Sequence, residues 1–112
     1  MKINKDIAEH YIWKNICEGW HFAKNESLSV ILEKMPACTE EDIHYHIKSR
    51  QFFYILSGTA YMVLDDKEII LECGEGIEVA PMQKHQIKNP SDNGIDFIVI
   101  SSPKSHGNRV TV

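Results

Sequence analysis

Three histidines and a glutamine are the residues of this chain whose types and spacing best suit chemistry. His44 and His46 stand one residue apart, Gln51 follows shortly after them, and His85 lies far downstream. Side chains alternate along a β-strand, so His-x-His presents both imidazoles to the same face. A third imidazole from a distant strand can reach the same point inside a closed barrel. The sequence therefore predicts a metal site in a small β-fold.

The bulk composition excludes several classes of function. The chain has 112 residues, enough for one domain, with 12 Lys and Arg against 16 Asp and Glu and a formal net charge of −4. The basic residues are scattered, which argues against nucleic-acid binding. No apolar run approaches the roughly 18–20 residues of a membrane span. Residues 1–6 lack the apolar core of a secretory signal, so we expect a cytoplasmic protein with free thiols at its three cysteines.

The elements that must position these residues are short strands. Alternating or β-rich segments recur from residue 28 at spacings of about 8–12 residues, with Gly, Pro and Asp turn signals between them. This pattern predicts a single all-β domain, a sandwich or barrel without a helix of useful length. We divide it into N-terminal strands packing on the barrel (1–27), the barrel itself (28–102) and a polar tail (103–112). The tail could be loose or could pack on a neighbouring subunit.

Two motifs surround the predicted metal ligands. The first reads His44-Tyr45-His46, four residues, Gln51, six residues, Gly58. The second reads Gly74, five residues, Ala80-Pro81-Met82, two residues, His85, three residues, Asn89. Through these motifs and their matched spacing, residues 28–102 resemble the cupin superfamily. The resemblance implies a double-stranded β-helix, the jelly-roll barrel of cupins. It also implies one divalent transition metal (Zn, Ni, Mn, Fe or Cu) held by His44, His46, Gln51 and His85.

Gln51 is the important departure, because cupins usually have glutamate there. A neutral amide leaves the charge of the ion uncompensated, so such a site should attract an anionic ligand. The alternative is that Gln51 only forms hydrogen bonds while the metal sits on three histidines.

Whether further residues can act beside the metal depends on which face of its strand each one occupies. Asp96 and Arg109 could act as a base and an anion clamp if they face the mouth of the barrel, although surface ion pairing is the other interpretation. Tyr61 and Cys38 are further groups that could reach the metal and handle a proton. The remaining histidines fit no motif and are expected to be surface or structural residues: His10, His21 and His106.

The aromatic run after Gln51 should divide between two faces. Phe53 shares the face of Gln51 and should line the barrel beside the metal. Phe52 and Tyr54 point the other way, so they either form a homodimer interface or are covered by N-terminal residues such as Trp13 or Trp20.

The His, His, Gln, His set resembles that of small cupins that open the ring of unsaturated uronates. This implies a metal-dependent enzyme of the isomerase or lyase type, acting on a small anionic or sugar-derived substrate. One alternative is a non-catalytic module that binds a metal or small ligand. A second alternative is a three-histidine Fe(II) dioxygenase, and a storage role is a further, weaker possibility. Fold alone does not choose among these functions.

Overall fold

Short antiparallel strands make up the whole fold, as the alternating sequence pattern predicts. The structure, a computed structural model, describes all of residues 1–112 and contains twelve strands and no helix. It therefore has no helix that is long and apolar enough to span a membrane. The strands are β1 (Glu9–Trp13), β2 (Cys17–Lys24), β3 (Ser29–Met35), β4 (Thr39–Glu40), β5 (His44–His46), β6 (Arg50–Ser57), β7 (Ala60–Leu64), β8 (Lys67–Leu71), β9 (Gly76–Val79), β10 (His85–Asn89), β11 (Ile95–Ser102) and β12 (Arg109–Thr111).

Two facing sheets enclose the core. One sheet has the strand order β1-β2-β3-β11-β6-β9, and the other has β12-β5-β10-β7-β8 with β4 paired to β10. Every pair is antiparallel, and chain-neighbouring strands often lie in different sheets, as in a jelly roll. The predicted all-β jelly-roll architecture is confirmed.

The space between the sheets has an apolar end and a polar end. Along the central pair of β11 and β3, Ile95 faces Met35 at one end, and both side chains are fully buried. At the other end of β11, Ser101 is paired with Gln51 of β6, and both are buried. Hydrophobic burial at the first end stabilises the barrel, so the second end is free to carry polar groups.

The N-terminal and C-terminal segments both become part of the barrel wall. Strands β1 and β2 extend the first sheet beyond β3, so residues 9–24 pack on the barrel. The tail forms β12 on β5, with Arg109 paired to His46. Asn108 Oδ1 accepts from the backbone N–H groups of Lys48 and Ser49, and Ser49 Oγ donates to the Pro103 carbonyl at 2.7 Å. The tail is therefore bound to its own barrel rather than loose.

Candidate metal centre

Strand pairing brings the three predicted histidines together at the polar end of the barrel. His44 and His46 point inward from β5, and His85 of β10 is paired with His44 across the sheet. One ring nitrogen from each histidine lies within 4.8 Å of the corresponding atoms of the other two. The rings are at most 5% exposed. Such convergence of three imidazoles matches the ligand geometry of a transition-metal site.

Backbone carbonyls orient two of these rings. His44 Nδ1–H donates to the Asp42 carbonyl at 2.8 Å, and His85 Nδ1–H donates to the Gln83 carbonyl at 3.0 Å. In both rings the Nε2 lone pair is left available for a metal, since a carbonyl oxygen can only accept. His85 Nε2 is buried without a hydrogen-bond partner, which would be costly unless a ligand used it.

Burial keeps these imidazoles neutral. It lowers the pKa of His44 to about 3 and that of His46 to about 4, and it also lowers the pKa of His85. Neighbouring positive charge acts in the same direction at each ring. Neutral imidazole is the form that binds metals, so the site is prepared for an ion at neutral pH.

Gln51 adds a buried amide to the lining of the same cavity. Its Nε2 donates to Ser101 Oγ at 3.0 Å, which fixes the amide on its strand. Its Oε1 is buried and has no hydrogen-bond partner in the protein. A buried acceptor without a partner costs about 1–3 kcal/mol, and coordination of a cation would remove that cost. The residues present therefore fit a divalent metal held by three imidazoles and one amide oxygen.

A cavity of about 750 Å³ leads to this group. His44, His46 and Gln51 line it, whereas His85 is 1% exposed and lies behind them. Phe53 lines the same cavity, as parity predicts, and its ring lies 6.0 Å from that of His85 in an edge-on arrangement. The cavity is wide enough for a small organic ligand to reach the metal position.

Of the other residues predicted to act at the site, one lines the cavity and three do not. Arg109 lines the cavity from β12, because its pairing with His46 places the two side chains on the same face. Asp96 and Tyr61 do not line it: they lie at outward-facing positions of β11 and β7, one place out of phase with the buried residues. Cys38 is exposed, and its thiol contacts the Ser91 carbonyl away from the cavity. The structure thus does not bring Asp96, Tyr61 or Cys38 to the metal group.

The cavity also contains acidic and aromatic groups that sequence reasoning missed. Tyr11 of β1, Glu33 of β3 and Glu41 after β4 all line it. One signal was available for Glu33, a charged residue in phase with the inward-facing Ile31 and Met35 of the same strand. His21 and His106, expected to be surface or structural residues, line the cavity as well.

Burial makes the carboxyl groups of Glu33 and Glu41 weaker acids than an exposed glutamate. It raises the pKa of Glu33 to about 7 and that of Glu41 to about 8. The positive charge of Arg109 acts in the opposite direction and lowers both pKa values in part. The Glu33 charge raises the pKa of Glu41 further. Both groups can therefore carry a proton near neutral pH, which limits how far they offset the positive charge of a bound ion.

Sequence comparison agrees with the fold. The model of the Cupin domain family matches residues 31–101, more than half of the chain. The chain belongs to the cupin family. This cupin is also 28% identical over 103 residues to the uncharacterized protein MJ1618 of Methanocaldococcus jannaschii, covering 90% of this chain and 78% of that protein.

Solved structures support the same architecture. An RmlC-like cupin from Shewanella frigidimarina matches with a TM-score of 0.84 at 19% identity, covering 93% of this chain and 91% of that one. KdgF from a Halomonas species matches with a TM-score of 0.81 at 16% identity, covering 90% and 93%. At such identities the likeness concerns the cupin fold alone.

The cavity brings together four kinds of group. They are imidazoles with an amide oxygen, a guanidinium, two carboxyl groups and the aromatic ring of Phe53.

Proposed function

We propose that this cupin is a metal-dependent isomerase or lyase that acts on a small anionic, sugar-derived substrate, with unsaturated uronates as the first class to test. The observation that carries the proposal is the buried, unpartnered Gln51 Oε1 in the cavity that His44 and His46 also line. A neutral ligand set leaves net positive charge on the ion, which suits an anionic substrate.

His44, His46, Gln51 and His85 would hold the ion. A divalent metal bound there supplies Lewis-acid polarisation of a substrate oxygen. The chain itself would orient the substrate, and Arg109 suits this task because it faces the cavity and takes part in none of the ion pairs of the structure. A guanidinium can bind a carboxylate through two parallel hydrogen bonds.

The neighbouring cations at the cavity are already neutralised. Lys24 Nζ lies 2.8 Å from a carboxylate oxygen of Glu9, and Lys104 Nζ lies 2.8 Å from one of Glu26. Arg109 is therefore the best clamp for a substrate carboxylate. Removing its charge should raise KM with a smaller effect on kcat, since binding rather than chemistry is lost.

A direct assay follows the unsaturated uronate itself. Protein loaded in turn with Zn, Mn, Ni, Fe or Co is mixed with the monosaccharide, and loss of the ultraviolet absorbance of its conjugated double bond is recorded. We expect metal-dependent turnover, abolished in His46→Ala and with a raised KM in Arg109→Met. Lys24→Met is the matched control. No turnover with any metal would overturn the proposal.

Two other functions fit the same ligands and would be recognised in the same experiment. A three-histidine Fe(II) dioxygenase would consume oxygen only in the iron-loaded protein. A non-catalytic module would bind galacturonate, measured calorimetrically, without any turnover of the unsaturated compound.

We further propose that the protein works as a homodimer. Phe52 and Tyr54 are each 40% exposed on the outer face of β6, with Leu56 and Ile100 exposed nearby. The N-terminal strands do not cover this face, because β3 and β11 separate them from β6. Sedimentation should give a dimer for the wild type and a monomer for Tyr54→Glu.

A cytoplasmic location also remains a proposal. It is supported by three cysteines that form no disulfide, as is usual in a reducing compartment. Fractionation of cells expressing the protein with a C-terminal tag would test it, and recovery outside the cytoplasm would refute it.

A further inference from the structure

In the wall of the cavity, the ring of a tyrosine lies across a glycine. Tyr11 of β1 is paired with Gly19 of β2, and Gly19 is paired in turn with Glu33 of β3. A Cβ atom at Gly19 would overlap the Tyr11 ring, so the ring rests directly on the glycine backbone. This lets the hydroxyl cross β2 and donate to Glu33 Oε2 at 3.0 Å.

Burying the Glu33 carboxyl on the inward face of β3 costs free energy that a purely structural role does not explain. It lies between Ile31 and Met35 on the inward face of β3, and no group other than Tyr11 donates a hydrogen bond to its carboxyl. A half-buried carboxyl with one neutral donor is poorly compensated. It does, however, open into the same cavity as the histidines.

Burial raises the pKa of Glu33 to about 7, while the Tyr11 hydrogen bond and Arg109 lower it in part. A group of this kind exchanges protons most efficiently near neutral pH. The titratable or charged groups that line the cavity with it are Tyr11, Glu9, His21, Lys24, Glu26, Glu41, His44, His46, Lys104, His106 and Arg109.

Glu41 is less suitable for the same role. Its Oε1 accepts from the Ile87 backbone N–H at 3.1 Å and lies 4.0 Å from His44 Nδ1. The hydrogen bond ties its carboxyl to the backbone of β10, so this group is already engaged by the protein. Glu33 has no such contact and can meet a substrate.

We propose that Glu33, positioned by Tyr11 across Gly19, is the acid–base group that exchanges a proton with the substrate in this cavity. The inference rests on the proposed function and adds to it the residue that moves the proton. Tyr11 is a positioning residue, since it acts through Glu33.

The proton balance for an unsaturated uronate requires only one such group. The Glu33 carboxylate takes the proton of the hydroxyl on the anomeric carbon. The bond from that carbon to the ring oxygen breaks, leaving an aldehyde and, on the former ring oxygen, an enolate. The Glu33 carboxylic acid then gives its proton to the enolate carbon that does not bear the oxygen, which yields a ketone. The product is an isomer of the substrate, and no oxidant or reductant is consumed.

The kinetic test compares two cavity variants with a matched control. Glu33→Gln should lower kcat by about 10²- to 10⁴-fold, with KM and metal content unchanged. Tyr11→Phe removes a hydrogen bond that stabilises the carboxylate, so the acidic limb of its pH–rate profile should move to higher pH. Glu18→Gln is the matched control, because it removes a carboxylate next to Gly19 but on the opposite face of β2, where Glu18 contacts His10. It should leave kcat and the pH–rate profile unchanged.

A second measurement needs no substrate. Carboxyl carbons of ¹³C-labelled protein are titrated by NMR, with and without zinc, and the signal missing in Glu33→Gln identifies the residue. In the metal-free protein we expect a midpoint well above the ordinary value of about 4.3, moved higher by Tyr11→Phe. The Tyr11→Phe shift should persist with zinc bound.

The outcomes separate the two proposals. An ordinary midpoint for Glu33, a midpoint unmoved in Tyr11→Phe, or full kcat in Glu33→Gln would each overturn the acid–base assignment. Wild-type protein that does not turn over the uronate would instead refute the proposed function, and the titration would still decide whether Glu33 holds an exchangeable proton.

Discussion

Replacing Gln51 with methionine separates its two interpretations, a metal ligand and a bystander that only forms hydrogen bonds. The side chains have similar length and volume, so Gln51→Met should leave the packing of a residue that is 6% exposed nearly unchanged. It removes both the free Oε1 and the Nε2–H that donates to Ser101 Oγ.

The two losses have opposite effects on the metal-free protein. Removing a buried acceptor without a partner should gain about 1–3 kcal/mol, whereas losing the hydrogen bond to Ser101 should cost about 0.5–1.5 kcal/mol and leaves the Ser101 hydroxyl to find another partner. The net change in the free energy of unfolding should therefore be small, within about 1–2 kcal/mol of the wild type.

The metal-bound protein should respond much more strongly. Loss of a group that only supports a ligand typically costs 10- to 100-fold in metal affinity, and loss of a direct ligand should cost at least that much. At saturating zinc this amounts to at least about 1.4–2.7 kcal/mol of lost metal-linked stabilisation.

Denaturant unfolding at matched zinc and chelator concentrations measures both quantities. Gln86→Met is the control, because Gln86 is a second buried glutamine whose amide donates to Glu40 and to the Glu41 carbonyl, away from the metal side of β10. It should lower stability equally with and without zinc. If Gln51→Met retained the full zinc-dependent stabilisation of the wild type, Gln51 would not be a ligand.

Three further predictions test the centre and its surroundings. Gln51→Glu should bind divalent metal more tightly and galacturonate more weakly by calorimetry, because a carboxylate offsets part of the ion's charge; unchanged affinities for both would contradict this. Gly19→Ala should lower stability by about 1–3 kcal/mol in denaturant unfolding, since its methyl group would overlap the Tyr11 ring, and wild-type stability would show that the ring is not held there. The raised pKa of Glu33 makes the folded state favour its protonated form, so that stabilisation is present below the unfolded pKa and is lost as pH rises through about 7. Metal-free Glu33→Gln should therefore gain melting temperature relative to wild type between pH 5 and pH 8, and a pH-independent difference would refute the pKa assignment.

Strand parity and motif spacing were sufficient to predict the core of the site. Within a strand the alternation of side chains is fixed, so His44 and His46 had to share a face, and Gln51 had to share one with Phe53. The same rule placed Phe52 on the outer face, where it is exposed. These predictions depend only on neighbours in the sequence.

The pairing of one strand with another could not be predicted from the alternation of side chains along a single strand. Arg109 reaches the cavity only because β12 pairs with β5 in a register that sets it against His46. Tyr11 reaches Glu33 only because both residues are paired with Gly19, one from each side of β2. Asp96 lies on the outer face of β11, one place out of phase with the buried Ile95 and Phe97. Register depends on turn geometry and on which face of each strand is buried, so alternation within one strand does not reveal it.

Metal content tests the central claim most directly. The wild type and His46→Ala, purified without a histidine tag or chelator, are analysed for metal per chain, and circular dichroism monitors the fold. We predict close to one divalent transition metal per wild-type chain and essentially none in His46→Ala, with both proteins folded because His46 is not among the residues of the apolar core. Equal metal content in the two proteins, or no metal in the wild type even after reconstitution, would contradict the account.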